Sequence, residues 1–410
     1  MSDTGMRLVS AFGLFAMMGI AWLASSNRKR VPWKTVAWGL GIQFTLALVL
    51  LGTKVGQAFF AGVAKGVDLL LNYTNAGTRF VFGPLLDTGF SFALGVLPII
   101  VFMGSLFAIL YHLGWVQQIV RLLARLLARS MRLSGAESLA AVANIFVGMV
   151  ESCLVIKPYI ERMTRSELFT AMTLGMSTVA GSVLLAYVNI LGGGAFAGHL
   201  VTASILSAPA GLLIAKIMIP ETEEPLTMPG AGALVEENEG NVIDAAAEGA
   251  INGLKLAAYV GATLIAFVAL IAMLNDILSG VGQIMNIPDL TLERMLGFVL
   301  APLAFLMGVP WSDASTVASL IGVKTVLNEF LAYQQLGDLI AAGELGERSR
   351  VIASYALCGF ANFGSLAILL GGIGGIAPGR RPEVASLGLR SILAGSLASF
   401  MTACMAGLLT

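Results

Sequence analysis

Ala143-Asn144-Ile145-Phe146-Val147-Gly148-Met149-Val150-Glu151-Ser152 and, in the other half of the chain, Val326-Leu327-Asn328-Glu329-Phe330-Leu331 each set a carboxylate inside an apolar stretch. An ionised carboxylate at membrane depth is expensive, so it persists only beside a partner, a cavity or a ligand. One such carboxylate in each half suggests a site shared by two repeats, the pattern expected of a secondary transporter.

The surrounding composition is that of a membrane protein. Of 410 residues, 57% are hydrophobic and only 12% charged, which is about half the charged share of a soluble domain. Mean hydropathy is +0.87, and 48 glycines suit close helix packing and helix breaks. The formal net charge is zero, so nothing points to a nucleic-acid partner. Cys153, Cys358 and Cys404 lie in apolar stretches without metal-binding spacing and read as buried small residues.

A helix needs about 20 apolar residues to cross a bilayer. Candidate spans run over 6–25, 33–53, 91–113, 167–191, 198–219, 250–279, 350–373 and 388–409. The first is followed at once by Asn27-Arg28-Lys29-Arg30 with no cleavage site, so it reads as a retained span with its basic end in the cytoplasm. Both termini then lie outside a cell (inner) membrane. The same alternation puts Arg121, Arg125, Arg129 and Arg132, Arg162 and Arg165, and Arg380-Arg381 on the cytoplasmic side. Segment 116–132 spaces arginines four apart beside a leucine face and is expected to lie at the interface. Segment 55–88, with Lys65, Asp68 and Arg79, is expected to form a surface helix and loop. His112 and His199 fall near span ends, where packing is the simpler role, and Trp22, Trp33, Trp38, Trp115 and Trp311 fit a headgroup belt.

Stretches 133–164 and 293–336 are apolar but interrupted, and must enter and leave on one face to keep the charge map. They are expected to be re-entrant hairpins, tolerated where buried in protein or lining water. Each precedes a span with small polar residues, Ser177-Thr178-Val179-Ala180-Gly181-Ser182 and Cys358-Gly359-Phe360-Ala361-Asn362-Phe363-Gly364-Ser365, and then a further span. The fold class that follows is an all-α polytopic membrane protein: eight transmembrane helices plus two re-entrant hairpins in inverted repeats, with interfacial helices. Its divisions are 1–132 (N-terminal spans and interfacial helix), 133–219 (first repeat), 220–248 (acidic linker holding Glu221, Glu223, Glu224, Glu236, Glu237 and Glu239), 249–292 (long scaffold helix) and 293–410 (second repeat).

Asn144, Thr178 and the carbonyls of Val147 and Val179 offer hard neutral oxygens at two breaks, suited to Na⁺. Equally, Asn144 and Thr178 could bond backbone freed at those breaks. Glu151 and Glu329 could contact substrate or pair with Lys157 and Lys324. Asn362 and Ser365, three apart, would share a helix face beside Glu329.

Over essentially its full length the chain resembles the concentrative nucleoside transporters. Ala143-Asn144-Ile145-Phe146-Val147-Gly148 looks like that family's first hairpin motif and Val323-Lys324-Thr325-Val326-Leu327-Asn328-Glu329-Phe330 like its second. Cys358-Gly359-Phe360-Ala361-Asn362 with Ser365, and Asn241-Val242-Ile243-Asp244-Ala245-Ala246-Ala247 opening the scaffold helix, also fit. The resemblance implies a homotrimer with a central scaffold and mobile transport domains, carrying a nucleoside by an elevator-like motion with Na⁺, or H⁺ in some members, and with no other cofactor. It implies a sodium site at Asn144, Val147, Thr178 and Val179. Gly148, Met149, Val150, Glu151 and Val183 would face the base, while Glu329, Asn362 and Ser365 would hold the ribose hydroxyls. The family's usual Gly-Gln-Thr-Glu-Ala-Pro is here Gly148-Met149-Val150-Glu151-Ser152-Cys153. The Gly-Met pair is similar to purine-preferring members, whereas Val150 and Ser152-Cys153 follow neither subtype. Alternatives are a carrier of nucleobases or another small polar solute, and a membrane-embedded hydrolase. Two histidines and no His-Glu-x-x-His leave the hydrolase without a plausible catalytic set.

Overall fold

The computed structural model describes residues 3–88, 91–227, 241–285, 287 and 290–410. Regular structure among them is entirely helical. The chain opens with α1 (Asp3–Leu23), α2 (Trp33–Gly52), α3 (Lys54–Phe82), α4 (Phe92–Gly95), α5 (Leu97–His112) and α6 (Trp115–Met131). Then come α7 (Gly135–Phe146), α8 (Met149–Val155), α9 (Lys157–Ile160), α10 (Arg165–Ser177), α11 (Gly181–Ile190) and α12 (Ala197–Met218). The remainder holds α13 (Val242–Ile284), α14 (Leu292–Leu306), α15 (Trp311–Val326), α16 (Glu329–Ala342), α17 (Glu347–Leu357), α18 (Phe363–Ile376) and α19 (Arg381–Leu409).

Seven stretches among the described residues are long and apolar enough to cross a bilayer: Asp3–Leu23, Trp33–Gly52, Phe92–His112, Arg165–Ile190, Ala197–Met218, Val242–Ile284 and Pro378–Leu409. The protein is a multi-pass membrane protein. The span over 350–373 is broken at its small polar run, as expected: the chain is extended at Cys358 and restarts on the N-cap Asn362. Two boundaries differ from expectation. The long scaffold helix runs over Val242–Ile284, opening at the Asn241-Val242-Ile243-Asp244 motif rather than at the 249 of the domain division, its start fixed by the Asn241 side chain accepting from the backbone N–H groups of Ile243 (2.9 Å) and Asp244 (3.0 Å). Of the acidic linker, Glu236, Glu237 and Glu239 lie outside the described residues. In 293–336 there are two interruptions, not one. α14 and α15 form a pair bent by 116° around Met307-Gly308-Val309-Pro310, where proline and a positive-φ glycine stop the helix. α15 and α16 then pack on each other across Leu327-Asn328.

The same succession occurs twice. Two helices meet at a short link (α7–α8 at Val147-Gly148, α15–α16 at Leu327-Asn328), a broken helix follows (α10–α11, α17–α18), and a long one closes (α12, α19). These helices form the interior. The apolar windows of Arg165–Ile190 and Ala197–Met218 are 89% buried and that of Pro378–Leu409 83%, against 17% for Val242–Ile284. α13 and α5 instead lie on one flank, in contact through glycines. A Cβ on Gly104 would stand 2.7 Å from the Gly249 carbonyl, and one on Gly253 2.8 Å from the Ile100 carbonyl. Phe12, Phe15, Phe80, Ile265 and Phe298 point outward as large exposed apolar groups, as lipid or a partner surface allows. All five tryptophans expected in a headgroup belt are exposed, and the three cysteines are free and buried. α6 buries Val116, Val120 and Ala124 and exposes Arg121, Arg125 and Arg129.

One buried ion pair went unread in the sequence. α7 and α10 both start with capping boxes, Ser134 with Glu137 and Thr164 with Glu167. Lys216, from the last turn of α12, donates to Glu137 and to Ser166 Oγ (2.9 Å), with Glu221 at 3.7 Å. The two principal partners are 4% and 1% exposed. Removing one leaves a buried charge unpaired, so Lys216→Met is expected to cost about 3 kcal/mol or more. Lys216→Met/Glu137→Leu should recover much of that loss, as read from thermal unfolding in detergent.

Candidate functional site

Glu329 is the first residue of α16, brought there by Asn328, whose side chain caps the helix by accepting from the Leu331 N–H at 3.0 Å. Its carboxylate is 3% exposed. Oε1 accepts from the Tyr187 hydroxyl of α11 at 2.9 Å, and Oε2 from Asn362 Nδ2 at 2.7 Å. Tyr187 is itself fixed by rings. It stacks on Tyr333 (4.7 Å between centroids, 24° between planes) and meets Phe330 edge-on at 4.7 Å. Asn362 does not share a helix face with Ser365, as three-residue spacing suggested. It is the N-cap of α18, and its Oδ1 accepts from the Ser365 N–H at 2.7 Å. One amide thus restarts a broken helix and donates to the carboxylate.

Lys324 makes no direct ion pair with Glu329. It is 1% exposed and donates to the Ala356 carbonyl at 2.9 Å, one of the groups freed where α17 ends. Lys157 is exposed, and neither lysine forms an ion pair with Glu151 or Glu329 among the described residues.

Gly148, Met149, Val150 and Glu151 line the same cavity of about 130 Å³ as Glu329, together with Val183, Asn362 and Ser365. Gly148 holds φ +110°, and a Cβ there would come within 2.9 Å of a Glu151 carboxylate oxygen. Glu151 also borders an adjoining cavity of about 460 Å³, between α5, α8 and α13. Val147, Ser182 and Leu256 line both, so the smaller chamber meets the larger beside Glu151. Tyr259 and Thr263 of α13 line the smaller cavity too, as do Phe330 and Phe360. Sequence reasoning singled out none of these, nor Tyr187. A tyrosine hydroxyl within an apolar span was the available signal, since such a group finds a partner when buried.

Asn144 and Thr178, 34 residues apart, touch. Asn144 Nδ2 donates to Thr178 Oγ1 and to the Leu174 carbonyl (2.6 Å), and Thr178 Oγ1 donates to that carbonyl at 3.2 Å. They do bond backbone freed at the end of α10. That arrangement turns Asn144 Oδ1 the other way, towards Ser152 Oγ at 3.4 Å. Val179, in the same break, accepts through its carbonyl from Ser204 at 3.4 Å. The donor set is neutral oxygen throughout, and no cluster of three or more His, Cys, Asp or Glu suited to a metal occurs among the described residues.

The family description "Na+ dependent nucleoside transporter C-terminus" matches residues 199–407, its N-terminal counterpart 12–85, and "Nucleoside recognition" 93–194. The chain belongs to the Na⁺-dependent nucleoside transporter family. It is 48% identical over 400 residues to the uncharacterized transporter YutK of Bacillus subtilis (97% of this chain, 98% of YutK). It is 39% identical over 424 residues to sodium/nucleoside cotransporter 1 of Mus musculus, covering 99% of this chain and 65% of that protein's length. Among solved structures, CNTnw in an inward-facing substrate-bound state is similar at TM-score 0.93 and 44% identity, over 99% of this chain and 98% of that one. The chain is therefore a transporter rather than an enzyme.

For this transporter, the double anchorage of Glu329 has a measurable value. Tyr187→Phe removes one hydrogen bond to a charged acceptor, and substrate uptake efficiency should fall about tenfold, corresponding to ~1.5 kcal/mol. In Tyr187→Phe/Asn362→Ala the losses should depart from additivity, because both donors act on one carboxylate. Initial uptake rates of the two single variants and the double variant provide the check.

Proposed function

We propose that this protein is a symporter that brings nucleosides into the cell across the inner membrane, coupled to Na⁺ and favouring purine nucleosides. What carries the reading is one cavity bordered by Gly148, Met149, Val150, Glu151 and Val183 from one repeat and by Glu329, Asn362 and Ser365 from the other. A carboxylate and an amide can bind vicinal hydroxyls of a ribose, and an analogue lacking them leaves buried polar groups unpaired. Met149 offers an apolar surface where an amide would bond a pyrimidine edge, which favours the larger purine ring.

Na⁺ would be held by Asn144, Thr178 and the carbonyls of Val147 and Val179, at the root of the link between α7 and α8. Holding that link orders Gly148 to Glu151 and completes the base side of the pocket. The nucleoside then bridges Glu151 and Glu329, and the loaded domain crosses by an elevator-type motion with its polar breaks shielded. The two helix pairs would be re-entrant hairpins, α7–α8 and α15–α16. Protomers would assemble as a homotrimer through the outward apolar face of α13, where Ile251, Leu254 and Ile265 are exposed.

Uptake of adenosine and uridine into proteoliposomes, with and without an inward Na⁺ gradient, tests the reading. The expected result is Na⁺-dependent adenosine uptake against which uridine competes poorly. Absence of uptake of either under Na⁺ or H⁺ gradients would overturn it. Competition by free adenine equal to that by adenosine would instead support a nucleobase carrier, which needs no ribose-holding set. Glu329→Ala should abolish uptake with the trimer intact by light scattering, and wild-type uptake by that variant would remove Glu329 from the ribose role.

A further inference from the structure

Ser152 stands where the usual first-hairpin motif of the resembling family has alanine, and its environment gives the hydroxyl a use. The side chain is 3% exposed. Oγ lies 3.1 Å from the Met149 carbonyl, one turn back in α8, and 3.4 Å from Asn144 Oδ1 in α7. Both protons of the Asn144 amide are engaged, by the Leu174 carbonyl and by Thr178, which leaves Oδ1 as the end that faces Ser152. The long contact from Ser152 is the one hydrogen bond that Oδ1 accepts among the described residues.

A buried amide oxygen left without a donor costs free energy, yet a strong donor would make it a poor cation ligand. Ser152 meets both demands. Its single proton can cover Asn144 Oδ1 weakly or pass to the Met149 carbonyl, the closer acceptor. In the second orientation the hydroxyl lone pairs are turned from the helix and available to a cation beside Asn144 Oδ1.

We propose that Ser152 Oγ is a ligand of the cotransported Na⁺ beside Asn144 Oδ1. The proposal rests on the sodium reading given above. Such a shell is all oxygen and uncharged, which suits a hard monovalent cation and disfavours transition metals. It also draws the first turn of α8 towards the ion. Ser152 follows Glu151 directly, so a cation held at Ser152 fixes the turn that presents Gly148, Met149 and Glu151 to the cavity.

The test titrates Na⁺ against the melting temperature of the full-length protein in detergent, without nucleoside, at constant ionic strength with choline as the replacement. Wild type should melt higher as Na⁺ rises. Ser152→Ala removes the ligand, and Ser152→Cys keeps a side chain there but offers sulfur, which Na⁺ avoids. Both should melt near wild type in choline and need about fivefold more Na⁺ for half the shift, a change of ~1 kcal/mol. A normal wild-type response with an unchanged midpoint in both variants would overturn the role of Ser152 and leave the sodium site standing. No response of wild type to Na⁺ would overturn the sodium site, and this inference with it.

Discussion

The carboxylate of Glu329 is held from both repeats. Tyr187, on the broken helix of the first, and Asn362, at the break of the second, each donate to one of its oxygens. A carboxylate that deep tolerates no position in which its oxygens lack donors, so this bonding sets where α11, α16 and α18 meet. The rings extend the constraint outward. Tyr187 lies on Tyr333, whose hydroxyl donates to the Ser354 carbonyl at 2.9 Å in α17. The cavity walls of the second repeat are therefore fixed by polar groups at helix breaks, within a frame of apolar helices that alone would favour many registers.

Breaks of this kind stay stable because side chains satisfy the helix ends. Asn328, Asn362 and Asn241 each place a carbonyl oxygen on the first N–H groups of the helix that follows. Lys324 takes up a carbonyl freed at the end of α17. On the opposite side of the first repeat, Lys216 joins the end of α12 to the starts of α7 and α10. The result is an interior with polar junctions, flanked by α13 and α5, whose glycines bring the two backbones within contact.

The charges and the punctuation of the fold were legible in the sequence, and the cross-chain contacts were not. Glu151 and Glu329 stood out because nothing apolar explains a carboxylate within a span, and both line one cavity. The break at Gly308-Val309-Pro310 carries a glycine and a proline, yet hydrophobicity alone merged α14 with the helix pair after it. A division by composition starts α13 at 249, because the acidic run extends the linker, while the Asn241-Val242-Ile243-Asp244 motif marks the start that the cap at Asn241 fixes. Tyr187 was missed for a different reason: its partner is 142 residues away, and no local pattern marks a side chain whose value is a long-range hydrogen bond. The face shared by Asn362 and Ser365 was an inference from helical spacing applied to a residue that lies just outside the helix.

Coupling between a cation and a substrate requires that one state of the protein be favoured by both, and the energy available is the difference in cation affinity between loaded and empty forms. Here some of the groups proposed for each ligand share one short segment. Asn144 and Ser152, the residues proposed for the cation, flank Gly148 to Glu151, which line the cavity, and Ser152 directly follows Glu151. A change at one group must therefore move the backbone that carries the other, without any long path through the fold. Gly148 sharpens this. At φ +110°, and with Glu151 and Ala180 close to where a Cβ would stand, the turn that links Asn144 to Glu151 accepts glycine and little else. Typical couplings of about 1–3 kcal/mol are within reach of a segment that gains or loses only a few contacts at once.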